Sequence, residues 1–339
     1  SPVMKYLNKL GLAQQLDELF PTDIYNSTKF TKVQIMLAVV LASFVGINRL
    51  SKIASFTNDS LVLALLGTTD GLNKDVIGVR LKQLGQSGAI KLHEYLFSLA
   101  NRWLSKNELS SITLDVDSTV KTVYGNQQGA AKGYNPQKRG AKSYHPLLAF
   151  VSEMKLVVNS WFRTGACYTG NGICEFIKQT KAVLPSNIKD VFFRADSGFF
   201  NGNLFDLLEE YHWTYLVKVK LKNLKQLLEQ QNWQILPDNP NIAICEFSYQ
   251  GAKWKKKRTL KAIRTISEWV EVDFMGQKQI VPKYEYACYC SNLKGDALCL
   301  HENYTQRSTS ETWIEQVKSQ LLAGATLTNN FHANDILWQ

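Results

Sequence analysis

The sequence predicts an α/β protein with an all-helical first third, followed by a region where strands and helices alternate. Apolar residues recur at helical spacing through Tyr6 to Phe20 and Thr31 to Ile53. At Ser111 that period gives way to the two-residue alternation of a strand, and acidic residues then stand at the ends of two strand-like runs. A helix rich in polar side chains follows near the end of the sequence.

Residues 1–110 form the helical part. Arg49 to Leu66, turning near Asn58-Asp59, and Lys74 to Leu104, turning at Gly85 to Gly88, have the form of helix-turn-helix units, a form that ordinary bundle packing shares. The segment holds twelve Lys/Arg and eight Asp/Glu, a mildly basic balance. The whole chain of 339 residues carries a formal net charge of +10, which points to a polyanionic partner.

In Ser111 to Thr119, Ile112, Leu114 and Val116 alternate with Thr113, Asp115 and Asp117, so a half-buried strand aims both acids to one side. From Ser118 to Ser152 there is no Asp or Glu, while Lys121, Lys132, Lys138, Arg139 and Lys142 supply five positive charges. The loop Lys132 to Gly140 mixes cations, an aromatic and turn formers, as suits a surface that grips phosphates. Leu147 to Ser152 and Leu156 to Phe162 read as a hairpin around Met154-Lys155. Asn171 to Val183 is helical in composition. Val191 to Ala195 is a second apolar strand, ending in Asp196 and breaking at Gly198. Ligands gather at such strand ends in open α/β sheets, although Asp before Ser-Gly is also an ordinary turn. Gly202 to Tyr211 reads as a helix and Trp213 to Lys220 as a strand.

A helical stretch, Asn223 to Gln230, leads into strand-like runs at Ile242 to Tyr249, Trp269 to Phe274 and Tyr284 to Cys290, which we read as a β-rich insertion over 221–300. Within it, Gly251 to Arg264 holds seven cations and no acid, among them Lys255, Lys256, Lys257 and Arg258. A cationic run beside strands suits a DNA backbone better than a disordered tail does. Trp213, Trp233, Trp254 and Trp269 read as core or strand-pair residues.

Tyr304 to Lys318 reads as one helix. At about 100° per residue, Tyr304, Arg307, Glu311 and Lys318 share one polar stripe, beside an apolar stripe of Trp313, Ile314, Val317 and Leu321. Ser308 and Glu311 also have the spacing of a capping box. The pattern Tyr, two residues, Arg, three residues, Glu, six residues, Lys resembles the Tyr-Arg-Glu-Lys signature of bacterial insertion-sequence transposases, and with the two upstream acids the chain from Ser111 onward is similar to the family known as transposase DDE domain group 1.

That resemblance implies an RNase H-like catalytic core over 111–220 and 301–339, interrupted by the β-rich insertion and preceded by an end-recognising helical DNA-binding domain over 1–110. It implies Asp117, Asp196 and Glu311 as catalytic, metal-binding acids for two Mg²⁺ or Mn²⁺ ions, with Asp115 as the rival first carboxylate, and Tyr304, Arg307 and Lys318 as DNA contacts. The reaction implied is phosphodiester hydrolysis followed by strand transfer on double-stranded DNA, with a homodimer pairing two element ends. A DNA-binding protein without catalysis and a nuclease without strand transfer stand as alternatives. The segment Asn334 to Gln339 stops in what reads as the start of an apolar helix, so a longer chain is expected. Six cysteines without a CxxC pair point to free thiols, and five scattered histidines show no ligand spacing. The apolar run Ile35 to Val45 is too short to span a bilayer, and a soluble cytoplasmic protein is expected.

Overall fold

The computed structural model describes residues 2–21, 29–136, 138–320 and 323–339. Gln137 of the basic loop and Leu321 of the apolar stripe lie outside the described residues. The first third forms α1 (Pro2–Lys9), α2 (Leu12–Leu19), α3 (Lys32–Phe44), α4 (Leu50–Phe56), α5 (Ser60–Leu66) and α6 (Lys74–Lys106). Local chemistry divides the two long periodic stretches further than periodicity does. Gly11 turns between α1 and α2 in the left-handed region, and Asp59 caps α5 by accepting the Leu61 and Val62 N–H groups. Helical geometry breaks inside α6 at Gly85. Ile35, Ile53, Ile77 and Leu81 centre the apolar core of this part.

From Ser111 the elements are β1 (Ser111–Ser118), β2 (Lys121–Thr122), β3 (Ala131–Lys132), β4 (Lys142–Tyr144), β5 (Leu147–Val151), β6 (Leu156–Trp161), α7 (Ile173–Val183), β7 (Asp190–Ala195), a 3₁₀ turn at Ser197–Phe199, α8 (Gly202–Glu210) and β8 (Thr214–Lys218). Then come α9 (Leu224–Glu229), β9 (Gln234–Leu236), β10 (Asn239–Tyr249), β11 (Arg258–Phe274), β12 (Gln277–Ser291), α10 (Ala297–Thr305), α11 (Ser308–Gln320) and α12 (Phe331–Trp338). The expected hairpin is present, and Lys155 at its turn takes φ 54°.

One nine-stranded sheet runs β6-β5-β1-β7-β8-β12-β11-β10-β9, while β2, β4 and β3 make a small separate sheet. β1, β7 and β8 are parallel; on one side β5 runs antiparallel to them and β6 reverses again, and on the other side β12 is antiparallel to β8. One face, with Leu114, Val116, Ala149, Phe193, Ala195 and Val217, packs under α7 and α8 through Phe176, Ile177, Phe205 and Leu208. The opposite face carries Asp115, Asp117, Leu148 and Phe150, and α11 covers it by seating Ile314 on the last two. α12 returns to the N-terminal helices, where Ala333 and Ile336 join their core.

The strands expected as an insertion extend the edge of this sheet. Tyr289, Cys290 and Ser291 of β12 pair with Lys218, Val217 and Leu216 of β8. β11 begins at Arg258, eleven residues before the expected Trp269, because its cations are absorbed by neighbours instead of solvent. The Arg258 guanidinium is buried and bonds the carboxylates of Asp206 and Glu209. Lys261 reaches the carbonyls of Leu293 and Gly295, and Arg264 lies over the rings of Trp233 and Tyr284 at 4.8 and 4.5 Å. Arg258 is therefore corrected from a DNA contact to a structural cation. Burial works against ionised Glu209, but hydrogen bonds from Arg258, Lys256 and Tyr215 pull its pKa down to about 2.

Asp115 is likewise committed inside. Fully buried, it receives Nε and Nη2 of Arg194 at 2.8 and 2.9 Å and the Ser152 hydroxyl. Asp115→Ala leaves the buried Arg194 charge unpaired and should cost about 3–5 kcal/mol, read as a lowered urea midpoint. An Asp115→Ala midpoint equal to wild type would mean that the pair with Arg194 does not hold β1 to β7.

Candidate active site

Asp117 and Asp196 stand at the carboxyl ends of neighbouring parallel strands. Val116 of β1 pairs with Ala195 of β7, so the next residue on each strand is one of the two acids. Asp196 also caps the following turn, its Oδ1 accepting the Gly198 N–H at 2.9 Å, so turn and site coexist here. Gly198 has no room for more: a Cβ there would lie 2.6 Å from the Thr169 methyl and 3.0 Å from Asp196 Oδ1.

Asp117 takes the Ser118 N–H on Oδ1 at 2.8 Å and Arg307 Nη2 on Oδ2 at 2.9 Å. Nη1 of the same guanidinium reaches Glu311 Oε1 at 3.1 Å. Arg307 is 3% exposed on its side chain, whereas Glu311 is 66% exposed. The sequence assigned Arg307 to DNA phosphate; in this arrangement the buried fork instead bridges two carboxylates. Burial raises the Asp117 pKa to about 6, Arg307 opposes the rise, and the charges of Asp196 and Glu311 reinforce it. Burial also lifts the Tyr304 hydroxyl to about 12, with Arg307 opposing and Asp196, Asp117 and Glu311 adding to it. The three acids and Tyr304 thus share one electrostatic neighbourhood.

The single helix expected from Tyr304 to Lys318 is two helices. α10 ends at Thr305 and α11 starts at Ser308. Thr305 and Thr309 spend their hydroxyls on the Glu302 and Gln306 carbonyls, the local bonding by which Thr and Ser compete with a continuing helix. Tyr304 is held from the insertion side, its ring 5.0 Å from that of Tyr289 on β12. Lys318 pairs with Glu315 at 3.5 Å, one turn back on α11. Of the remaining expected DNA contacts, Lys132, Lys138, Arg139, Lys255, Lys256 and Lys257 are exposed. Lys142 donates to Asn126 Oδ1 at 2.8 Å, Lys138 lies over the Tyr124 ring, and Lys255 and Lys256 approach Asp206 and Glu209 at 3.9 and 2.6 Å.

Sequence reasoning missed a network behind the two strand acids. His145, 1% exposed, has Nδ1 at 2.7 Å from the Cys167 carbonyl and Nε2 at 3.1 Å from Ser118 Oγ. A carbonyl only accepts, so Nδ1 carries the proton and Nε2 accepts from Ser118. Burial and Arg163 hold the imidazole pKa below its usual value, against the Cys167 carbonyl and Asp196. Arg163, also buried, donates Nε to the His145 carbonyl and Nη1 to the carbonyls of Thr169 and Asn171. The Gly-rich stretch Thr164 to Gly172 was the available signal: a loop so rich in small residues packs closely against something.

No three His, Cys, Asp or Glu side chains among the described residues form a closed metal-ligand set. The donors fit an open site instead: all are hard oxygens, two are on rigid strand ends, and Mg²⁺ commonly takes one or two carboxylates with water and phosphate supplying the rest. Asp117 and Asp196 would hold such an ion, with Glu311 completing the set from α11.

A carboxyl titration by NMR in metal-free buffer should give Asp117 a midpoint near 6. Glu311→Gln should lower it and Arg307→Gln raise it. Since its folded pKa exceeds the free value of 3.8, the contribution of Asp117 to folding stability is full below that value and lost as pH rises through about 6. A midpoint unmoved by both substitutions would show that the three groups do not interact.

The family model for transposase DDE domain group 1 matches residues 3–338. No curated protein matches the chain. Among solved structures, the chain is similar to a piggyBac transposase synaptic complex with hairpin DNA, at 12% identity and a TM-score of 0.52, covering 96% of this chain and 70% of that one. A Mos1 transposase paired-end complex with the left transposon end also matches, at 9% identity and a TM-score of 0.24, covering 57% of this chain and 60% of that one. The piggyBac likeness concerns the fold, and the Mos1 score is too low to carry an argument.

Proposed function

The chain belongs to the transposase DDE domain group 1 family, and from that premise we propose that it is a DNA transposase that cuts and joins the ends of an insertion sequence. The observation that carries the reading is the meeting of Asp117 and Asp196 at adjacent strand ends, with Glu311 tied to Asp117 through Arg307. The strand order β6-β5-β1-β7-β8, with a late acid-bearing helix on one face, fits an RNase H-like core. Asp115, the rival first carboxylate, is occupied by Arg194, which supports Asp117.

Two divalent ions bound by these acids would activate the attacking oxygen and neutralise charge on the phosphate and leaving oxygen. The chain's own part is to hold the acids apart on rigid backbone and to keep Asp117 ionised. Arg307 does the latter, since its positive charge works against the burial that protonates the carboxylate. Tyr304 and Lys318 border the same helix pair and would orient the DNA end. Lys132, Lys138, Arg139 and Lys142 on one side, with Lys255, Lys256 and Lys257 on the other, would follow the phosphate backbone of double-stranded DNA. Pairing two element ends calls for a homodimer when DNA is bound.

The test is cleavage of DNA carrying the flanks of the encoding element, with Mg²⁺ or Mn²⁺ and a chelator control. Metal-dependent cuts at both flanks should fall at least roughly 10²-fold, the loss seen when one group stabilising a transition state is removed, in Asp117→Asn, Asp196→Asn and Glu311→Gln, while DNA binding persists. Cutting that survives in Asp196→Asn would sink the assignment. Binding without any cut in wild type would leave a non-catalytic DNA-binding protein.

A further inference from the structure

Two exposed tyrosines stand on loops that abut each other, and the loop of one of them touches Ser118 and Gly198, neighbours of Asp117 and Asp196. Tyr168 is 72% exposed, yet both its neighbours are tied down. The Cys167 carbonyl accepts from His145, the Thr169 carbonyl accepts from Arg163, and Thr169 Oγ1 lies 3.4 Å from Ser118 Oγ. The same Thr169 leans on Gly198, two residues after Asp196. Tyr134 is 60% exposed in a similar setting. On one side of it, Gly133 packs so tightly that a Cβ would fall 2.0 Å from the Gly165 carbonyl oxygen, which joins this loop to the one carrying Tyr168. On the other side, Asn135 is buried, donates to Thr122 Oγ1 at 2.9 Å and accepts the Lys138 N–H at 2.9 Å.

Buried hydrogen bonds of this number fix backbone, and a fixed backbone displaying a solvated aromatic ring is a contact surface prepared in advance. Within five residues of Tyr134 in the sequence stand the exposed cations Lys132, Lys138 and Arg139, in a segment without a single acid between Ser118 and Ser152. Exposed aromatic rings together with cations are the components of a surface for single-stranded nucleic acid, where bases stack and phosphates pair. A fully paired duplex hides its base faces and would have no use for the rings.

We propose that the abutting loops bearing Tyr134 and Tyr168 form a stacking platform for unpaired nucleobases of DNA beside the phosphate that is cut at the strand-end acids. The inference rests on the DNA-cleaving reading above and adds a ligand to it: single-stranded DNA at the site's edge. Each ring offers an apolar face at low conformational cost, and neither hydroxyl is required for stacking.

The experiment compares the full chain with Tyr134→Ala/Tyr168→Ala and Tyr134→Phe/Tyr168→Phe. The probes are a blunt duplex and the same duplex with a single-stranded extension carrying 2-aminopurine at its first unpaired position. Wild type should quench the 2-aminopurine and bind the extended duplex; the double Ala variant should bind it roughly tenfold more weakly, lose the quench, and keep the blunt-duplex affinity. The double Phe variant should behave as wild type. An unchanged quench and affinity in the double Ala variant, or a Phe variant as poor as the Ala one, overturns the platform alone. A wild-type protein that binds neither probe overturns the nuclease reading and the platform with it.

Discussion

The charge of Arg307 is the interaction on which the site depends. Asp117 is pushed toward protonation by burial and by two neighbouring carboxylates, and the only opposing cation among its major influences is this guanidinium. Arg307 can sit there because α10 ends and α11 begins around it. At the break between Thr305 and Ser308 it turns inward, its guanidinium between Asp117 of β1 and Glu311 of α11. Thr305 and Thr309, weaker helix formers whose hydroxyls bond local carbonyls, make the break inexpensive.

The extension of the sheet by β9 to β12 does more than lengthen it. β12 joins β8 and presents Tyr289, whose hydroxyl meets His301 Nδ1 at 2.7 Å and whose ring packs on Tyr304. The position of α10, and hence the point at which α11 starts, is thus set from the insertion. Arg194 contributes from the other side, giving Nη1 to the Asn303 carbonyl at 2.8 Å while its other nitrogens hold Asp115. A substitution in the insertion can therefore act on the acids without touching DNA.

Much of this arrangement was legible. The alternation in Ser111 to Thr119, the turn at Lys155 and the apolar run ending in Asp196 are local patterns, and strands and turns followed them closely. The choice between Asp115 and Asp117 was not legible, because both point to the same face and each meets an arginine; only tertiary structure buries Asp115 fully under Arg194 and leaves Asp117 at the strand end beside Asp196. The fate of the basic run Gly251 to Arg264 was equally hidden. Lys255, Lys256 and Lys257 stay exposed while Arg258, Lys261 and Arg264 are absorbed, and the partners that decide this lie dozens of residues away in α8, at the end of β12 and in the aromatic ladder of Trp233 and Tyr284. Single-sequence charge counting sees the cations and not the acids or rings that will meet them. His145 and Arg163 escaped for the same reason: their partners are backbone carbonyls, which every sequence has.

The three acids differ in how firmly they are held, and the difference has a consequence for chemistry. Asp117 and Asp196 are fixed by strand backbone, by the N–H groups of Ser118 and Gly198, and by the loop that His145 and Arg163 brace behind them. Glu311 sits on the first turn of α11, mostly in solvent, and is tied to Asp117 through Arg307. A cation held by the strand-end acids would share with Arg307 the task of balancing the charge of Asp117 and Glu311. Two acids are thus held on strand ends, and the third stands on a helix and is linked to them through an arginine. The charge of Arg307 keeps Asp117 and Glu311 from facing each other unpaired, where like charges at short range would favour a protonated carboxyl.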